Sequence, residues 1–219
     1  MKIGVIGATG RMGQAVLQVL ANETEHTGVP IARAHATVVT ELDVLVDFSL
    51  PQALADNMAL AKRLHCPLLV CTTGLTEQQR QGLVELGQQL PVLYAENTSI
   101  GIALLADLVQ QASRLLSEAD VDIIDLHHKH KRDAPSGTAK RLAAAVEQGR
   151  GEKTEIEYAV VRAGDIIGEH TVLFNLPGER LEFTHKVSER AVFARGAVRA
   201  AKWLSEQAQG FYHMADMLR

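Results

Sequence analysis

The stretch DLHHKHKRDAPSGTA at residues 125–139 concentrates side chains that could move protons or bind an anion. Three histidines, two lysines and an arginine fill positions 127–132, although the whole chain carries a net charge of −4. Histidine titrates near neutral pH and lysine supplies an ammonium group, so both can transfer protons. Such a run could serve a metal with anionic ligands, a nucleic-acid backbone or a small polyanion.

The composition of this basic run disfavours the first two partners. Metal sites on a helix place histidines at i and i+4, or add Asp, Glu or Cys at defined spacing, whereas here lysine and arginine alternate with the histidines and would repel a cation. We therefore predict no metal. A nucleic-acid surface spreads its charge over a face and adds aromatic side chains where bases stack, and this single cluster has none. A merely solvated run of charges remains the alternative.

The turn that follows, DAPSGTA, adds a receptor for an anion. Pro135 and Gly137 bend the chain, and Ser136 or Thr138 can cap a helix that begins near residue 138. A helix start with unpaired N–H groups and two hydroxyls binds carboxylate or phosphate. The basic run and this turn together predict a pocket for a small dicarboxylate.

A glycine loop, VIGATGRMG, joins the first strand to the first helix. Gly7 permits the tight turn, Gly10 the close approach of a pyrophosphate, and Gly13 the close packing of helix on strand. The spacing is GxxGxxG rather than GxGxxG, so a plain strand–turn–helix is the alternative. The position of the loop nevertheless favours a dinucleotide site.

The region that should hold the ribose reads EHTGVPIARAHATVV, residues 25–39, and it ends without the expected acid. Arg33 and His35 stand there instead, and a cation suits a ribose 2′-phosphate better than a pair of free hydroxyls. We therefore expect NADPH, or use of both NADPH and NADH, with solvated side chains as the alternative.

Two further loops follow apolar strands, CTTGL at 71–75 and AENTSIG at 95–101. Ligands of doubly wound sheets lie beyond the carboxyl ends of the strands, where these loops fall. Thr72, Thr73 and Gly74 could line the nicotinamide, and so could Asn97 and Ser99. Thr and Ser at these places are also typical helix caps.

The elements that must position these residues change in character near residue 99. Before it, short apolar runs alternate with amphipathic helical segments, which indicates an α/β class: a Rossmann-type, doubly wound parallel sheet. After it, helices at 101–119 and 138–148 precede strand-like segments separated by Gly and Pro, which indicates a second α+β domain with a mixed or antiparallel sheet. We predict a dinucleotide-binding domain at 1–98 completed by 191–219, and a substrate-binding and oligomerisation domain at 99–190.

Length and composition agree with a two-domain globular chain. Its 219 residues suffice for one large or two modest domains, with 47% hydrophobic and 22% charged residues. The negative net charge argues against binding to nucleic acid or to membrane surfaces. No apolar run is long enough for a membrane span, and the first residues do not have the layout of a signal peptide. Cys66 and Cys71 are too few for a disulfide framework, so we expect buried thiols in a reducing cytoplasm.

With these motifs in order, the chain resembles the bacterial 4-hydroxy-tetrahydrodipicolinate (dihydrodipicolinate) reductases of lysine biosynthesis. The matching segments span nearly the whole chain, and the most specific is HHKHKRDAPSGTA. The others are GATGRMG, DVLVDFSLPQAL, CTTGL, AENTSIG, VRAGDIIGEHTVLF, GERLEFTHKVSERAVFARGAVRAAKWL and GFYHMADML.

The resemblance implies NAD(P)H-dependent reduction of a cyclic imine dicarboxylate with loss of water, by a homotetramer formed through the sheets of the second domain. It implies His127 as proton donor or acceptor and Lys131 as proton donor. The substrate-binding positions that it implies are His128, Gly137 and Thr138, to which the capping argument adds Ser136. The coenzyme contacts that it implies are Gly7, Ala8, Thr9, Gly10, Arg11, Met12, Thr72, Thr73, Gly74, Glu96, Asn97, Thr98 and Ser99, and the charge argument adds Arg33.

The chain also departs from the family. The segments at 21–40 and 145–157 look shortened, and Glu96 and Thr98 are polar where many members are apolar or aromatic. Two rival functions follow: another NAD(P)H oxidoreductase of the same two-domain plan acting on a different small acid, and a non-catalytic nucleotide-binding sensor. The HHxHK and PSGT residues disfavour the first, and the presence of both His127 and Lys131 disfavours the second.

Overall fold

The computed structural model describes residues 1–31 and 40–219, and these form two compact units. The first unit consists of Met1–Ser99 and Ala191–Arg219, and the second of Ile100–Arg190. That the first unit binds a dinucleotide and the second a substrate stays a prediction. No helix in the described ranges combines the length and the apolar character of a membrane span.

The first unit contains a parallel sheet with the order β10-β5-β4-β3-β1-β2 among the described residues. Its strands are β1 (Lys2–Ile6), β2 (Thr27–Ile31), β3 (Val44–Asp47), β4 (Leu68–Val70), β5 (Pro91–Tyr94) and β10 (Gly210–Tyr212). β3 and β4 are buried along their whole length, since uninterrupted apolar runs suit strands covered on both faces. The strand order reverses at β1, and this confirms the Rossmann-type prediction.

The helices of this unit cover both faces of the sheet. They are α1 (Arg11–Ala21), α2 (Leu54–Leu64), α3 (Glu77–Gly87) and α6 (Ala191–Ser205), with short 3-10 helices at Pro51–Ala53 and Met214–Leu218. α2 and α3 share one apolar cluster with the sheet. α6 packs on α1 and on the three strands β3 to β5, because small residues such as Ala194 and Ala197 let it approach closely.

The second unit is a mixed four-stranded sheet of order β7-β6-β8-β9 with two helices. Its elements are α4 (Ile100–Leu115), β6 (Asp120–His127), α5 (Gly137–Arg150), β7 (Ile156–Arg162), β8 (Gly168–Leu176) and β9 (Glu179–Val187). β6 pairs in parallel with β7 and antiparallel with β8, which confirms the predicted mixed sheet.

Burial alternates along β6 and along β8 as far as Asn175, as expected for strands with one covered face. Val121 and Ile123 of β6 and Val172 and Phe174 of β8 enter an apolar cluster with residues of α4 and α5. The same alternation continues to Asp125 and His127, which makes them polar residues on the buried face. That placement determines the candidate site.

Candidate active site

The glycine loop of the first unit has the close contacts that only glycine permits. Gly7 has a φ of 77°, in the left-handed region, and a Cβ there would lie 2.6 Å from the carbonyl oxygen of Phe48. A Cβ on Gly13 would lie 2.2 Å from the carbonyl oxygen of Gly7. Gly10 begins α1 without a side-chain cap, and its N–H donates to Gly7 O at 2.9 Å. Among the described residues no side chain caps this helix start, so its N–H groups suit a pyrophosphate.

The predicted coenzyme residues on the loop differ in exposure. Thr9, Gly10 and Arg11 are exposed, while Ala8 and Met12 are half-buried. Their exposure next to an uncapped helix start suits an anionic group such as a pyrophosphate. Arg33, the predicted partner of a ribose 2′-phosphate, lies outside the described residues, as does His35.

The loops after β4 and β5 lie at the same edge of the sheet as the glycine loop, because the strands are parallel neighbours. Thr72 is buried and its hydroxyl has no hydrogen-bond partner within the described ranges, whereas Thr73 and Gly74 are exposed. A buried hydroxyl left unpaired is costly, so the Thr72 hydroxyl has a hydrogen bond to offer to a ligand or a water molecule.

In the loop after β5, one predicted coenzyme residue is exposed and two others make hydrogen bonds within the first unit. Glu96 is exposed, and Asn97 accepts the Ser99 N–H on its Oδ1 at 2.9 Å. Thr98 is buried and donates its hydroxyl to Phe193 O at 2.7 Å. That bond joins the loop to α6, so the Thr98 side chain is engaged within the first unit.

A buried carboxylate next to this edge was missed from the sequence. Asp47, the last residue of β3, accepts from Ser49 N–H at 2.8 Å and from Asn57 Nδ2 at 2.8 Å. It thereby fixes the loop whose Phe48 carbonyl faces Gly7. The sequence pattern that could have identified Asp47 is an acidic residue at the end of an otherwise apolar strand.

The second unit brings together residues from four separate elements around Asp125. The Oδ1 atom of this carboxylate lies 2.8 Å from His127 Nδ1 and 3.3 Å from His170 Nε2. Its Oδ2 atom accepts from Ser136 N–H at 2.8 Å and from Arg162 Nη2 at 3.0 Å. Oδ2 thus accepts two hydrogen bonds, whereas Oδ1 lies at ion-pair distance from both imidazoles without a hydrogen bond of regular geometry among the described residues.

Asp125 is ionised in this environment. Burial opposes the charge, but contacts with His127, His170, the Ser136 N–H and Arg162 outweigh it and hold the carboxyl pKa well below its usual value. Asp125, His127 and His170 also place one ligand atom each within 4.8 Å of one another. The Arg162 guanidinium on the same carboxylate disfavours a cation there, because like charges repel.

The basic run forms the loop between β6 and the PSGT turn. Lys131 Nζ lies 2.8 Å from Asp133 Oδ1, and the ammonium lowers the Asp133 pKa against the opposing effect of burial. Desolvation, followed by the charges of Arg190 and the neighbouring basic residues, lowers the pKa of His128. This loop is therefore a surface of strong positive potential, suited to a small dianion.

The turn after the run begins α5. Ser136 is its N-cap, and its Oγ accepts from Ala139 N–H at 3.1 Å and lies 3.2 Å from His170 Nε2. Both polar groups of Ser136 are thus engaged inside the unit, and the residue is buried. Gly137 is exposed and Thr138 half-buried, so the first turn of α5 presents these two residues at its positive end.

His170 and Arg162 were also missed from the sequence, and strand register explains their place. His170 on β8 is the direct partner of Asp125, and Arg162 on β7 is the direct partner of His127. The available signal was alternation, since GEHTVLF puts His170 on the same face as Val172 and Phe174. A polar residue on an apolar face indicates a buried network.

Family models match both parts of the chain. Residues 1–98 match a model described as Dihydrodipicolinate reductase, N-terminus, and residues 101–218 match Dihydrodipicolinate reductase, C-terminus.

Curated relatives align over the whole length. The 4-hydroxy-tetrahydrodipicolinate reductase of Zymomonas mobilis is 40% identical over 246 aligned positions, covering 100% of this chain and 97% of the relative. The enzyme of that name from Halorhodospira halophila is 40% identical over 261 positions, covering 99% and 98%. Both alignments are longer than the 219 residues of this chain, which is therefore the shorter protein.

Solved structures share the fold. A dipicolinate-bound dihydrodipicolinate reductase from Paenisporosarcina sp. TG-14 superposes with a TM-score of 0.83 at 21% identity, covering 97% of each chain. A DAP dehydrogenase of C. glutamicum in complex with DAP gives a TM-score of 0.60 at 13% identity, covering 99% of this chain and 93% of the other.

Proposed function

Since the chain belongs to the dihydrodipicolinate reductase family, we propose that it catalyses the reaction for which its relatives are named. It reduces 4-hydroxy-tetrahydrodipicolinate to tetrahydrodipicolinate with NAD(P)H and releases water, in the diaminopimelate route to lysine. The observation that carries this proposal is that one buried carboxylate, Asp125, contacts both His127 and the N–H of Ser136. The imidazole and the anion-binding turn are thus held within one site.

The nicotinamide, when bound, supplies a hydride to the conjugated imine. Reduction leaves negative charge on the substrate, which positive potential and a proton must neutralise. Lys131 donates that proton from its ammonium group, and His127 exchanges a proton beside it. His128 and the first turn of α5, at Gly137 and Thr138, hold the two carboxylates, while Ser136 caps the helix behind them.

Steady-state kinetics with freshly generated cyclic substrate test the reaction. We expect loss of NAD(P)H absorbance that depends on this substrate and does not occur with sugar acids or amino-acid-derived aldehydes. Turnover of those acids alone would establish the rival oxidoreductase. Coenzyme binding with no turnover of any of them would establish the nucleotide sensor.

The coenzyme loop is assigned to Gly7–Met12, with Thr72, Thr73, Gly74 and the Glu96–Ser99 segment around the nicotinamide. The uncapped start of α1 and the Thr72 hydroxyl, which has no hydrogen-bond partner in the part of the chain that the structure describes, support this assignment. NADPH is the preferred coenzyme, or both are used, because Arg33 and His35 stand where an acid would favour NADH.

Replacing Arg33 by alanine is expected to raise KM for NADPH about 10-fold and leave KM for NADH nearly unchanged, because a charged hydrogen bond to the 2′-phosphate is lost. The measurement is KM for each coenzyme. Lys62→Ala, on an exposed position of α2, is the control and should leave both values unchanged. An equal rise for both coenzymes in Arg33→Ala would contradict the assignment.

A homotetramer is proposed through the sheet of the second unit. The face opposite the apolar cluster carries the half-exposed residues Ile124, Leu126 and Leu173, and Val161 is 42% exposed. These apolar residues share the face with charged ones such as Glu169 and Glu182, and an apolar patch with a polar surround is typical of a protein–protein interface. Cys66 and Cys71 are unpaired and buried, and burial raises the pKa of the Cys66 thiol to about 12, which fits the reducing cytoplasm proposed for the enzyme.

Replacing Leu173 by arginine is expected to shift the tetramer to smaller species, because the new charges would be buried against each other in a symmetric interface. Light scattering coupled to size-exclusion chromatography measures the mass. Ser117→Arg, at an exposed position after α4, should keep the tetramer. A tetramer that survives Leu173→Arg would place the interface elsewhere.

A further inference from the structure

We propose that Asp125 is the positioning residue of the site, which fixes the tautomer and orientation of His127 and the start of α5 at the same time. The inference rests on the proposed function, in which His127 exchanges a proton and α5 binds a carboxylate. Asp125 has 0% exposure, so it reaches neither solvent nor substrate and acts through the groups around it.

The contact with His127 determines which ring nitrogen carries hydrogen. An imidazole nitrogen 2.8 Å from an ionised carboxylate oxygen must be protonated, since two lone pairs at that distance repel each other. The neutral ring therefore has its hydrogen on Nδ1 and a lone pair on Nε2. The carboxylate thus leaves Nε2 as the atom able to accept a proton, as a buried acid does for other catalytic histidines.

The space around the ring agrees with this orientation. Gly168 lies beside Nε2, and a Cβ on Gly168 would approach that atom to 3.1 Å. His170 packs edge-on against His127 with ring centroids 5.1 Å apart. The ring is held by Asp125 on one nitrogen and by its neighbours on the sides, so its position is defined before substrate binds.

The other carboxylate oxygen fixes the helix start. Oδ2 accepts the N–H of Ser136, and Ser136 in turn caps α5 through its hydroxyl. Arg162 adds a second tie, because its Nη2 donates to both Asp125 Oδ2 at 3.0 Å and Asp133 O at 2.7 Å. The ion pair between Asp125 and Arg162 therefore holds both ends of the loop that carries Lys131.

An anion suits this environment, because an arginine, a backbone N–H and two imidazoles surround the side chain. Asparagine has the same shape, but its amide NH₂ would meet fixed donors if it faced the Ser136 N–H and Arg162, and if it faced the imidazoles it would require a lone pair on His127 Nδ1 and therefore the Nε2–H tautomer. Asp125→Asn should therefore change the His127 tautomer or displace the turn. A displacement of about 1 Å costs about 10²-fold in rate.

The experiment compares Asp125→Asn, Asp125→Glu and the matched control Asp120→Asn, an exposed aspartate on the same strand. We expect Asp125→Asn to lower kcat about 10²-fold with coenzyme KM changed less than 3-fold, and to alter the basic-limb pH dependence of kcat. Asp125→Glu should recover at least 10-fold of the loss because it restores the charge, and Asp120→Asn should match wild type. A kcat within 3-fold of wild type in Asp125→Asn would overturn the proposal.

A second measurement needs neither turnover nor a folded variant. The ¹⁵N NMR spectrum of wild-type imidazoles should give His127 as the Nδ1–H tautomer at pH 8, and an Nε2–H tautomer would overturn the proposal. If wild type reduced no cyclic imine, the proposed function would fail, while the tautomer would still decide the role of Asp125.

Discussion

Lys131→Ala is expected to lower kcat by about 10²–10⁴-fold while leaving NADPH affinity nearly unchanged, because the variant loses one well-placed proton donor. Lys131 Nζ lies 2.8 Å from Asp133 Oδ1, with 24% of the side chain exposed, so it is paired with a carboxylate and partly sheltered from solvent. Its removal takes away both the proton and the positive potential that the reduced substrate requires. Steady-state kinetics and a fluorescence titration with NADPH measure the two quantities.

One further variant separates the loss of the Lys131 proton donor from the loss of its positive charge, and a second variant is a control. Lys131→Arg keeps the positive charge but cannot give up a proton at neutral pH, so we expect it to bind substrate and to remain slow. Lys153→Ala is the matched control, since Lys153 also pairs with a carboxylate, at 2.9 Å, but is 92% exposed and distant in sequence from the basic run. Near-wild-type turnover in Lys131→Ala would refute the role given to this residue.

The second large effect is expected for Gly13→Ala, which should lower NADPH affinity at least 10-fold and the free energy of unfolding by about 1–3 kcal/mol. The added Cβ would stand 2.2 Å from Gly7 O and 2.8 Å from Ala8 Cα. Both neighbours are backbone atoms, so the glycine loop itself must move. The N–H groups proposed to face the pyrophosphate would move with it.

Gly82→Ala supplies the control for this helix substitution. Gly82 lies in α3, and its Cβ would meet only the end of Met58 at 3.5 Å, an ordinary contact. Because alanine is the better helix former, Gly82→Ala should raise the free energy of unfolding by about 0.5–1 kcal/mol and leave coenzyme binding unchanged. Chemical denaturation and NADPH titration compare the two variants. Unchanged coenzyme affinity in Gly13→Ala would contradict the assignment of the loop.

Much of the fold was predictable because its signals are local. Apolar runs separated by amphipathic helices indicated the parallel sheet, and successive strand-like segments separated by Gly and Pro after residue 99 indicated the antiparallel or mixed one. β10 was missed, since Gly210–Tyr212 has only three residues and pairs with β5, which lies more than a hundred residues earlier in the chain. A strand so short has no periodicity of its own to detect.

The glycine loop, the basic run and the PSGT turn were determined by the sequence itself. Each is a contiguous segment whose chemistry follows from residue types a few positions apart. The roles given to these residues in binding and catalysis stay predictions that the variants above test.

Only the tertiary structure decided how the site is held. Arg162 follows Asp125 by 37 residues in the chain, and His170 follows it by 45. The three residues meet because β7 and β8 flank β6 in one register. Neighbouring strands bring distant residues side by side, whereas a sequence pattern reports only which face each residue occupies. A charge on the buried face signals that a partner exists, and the sheet order determines which residue that partner is.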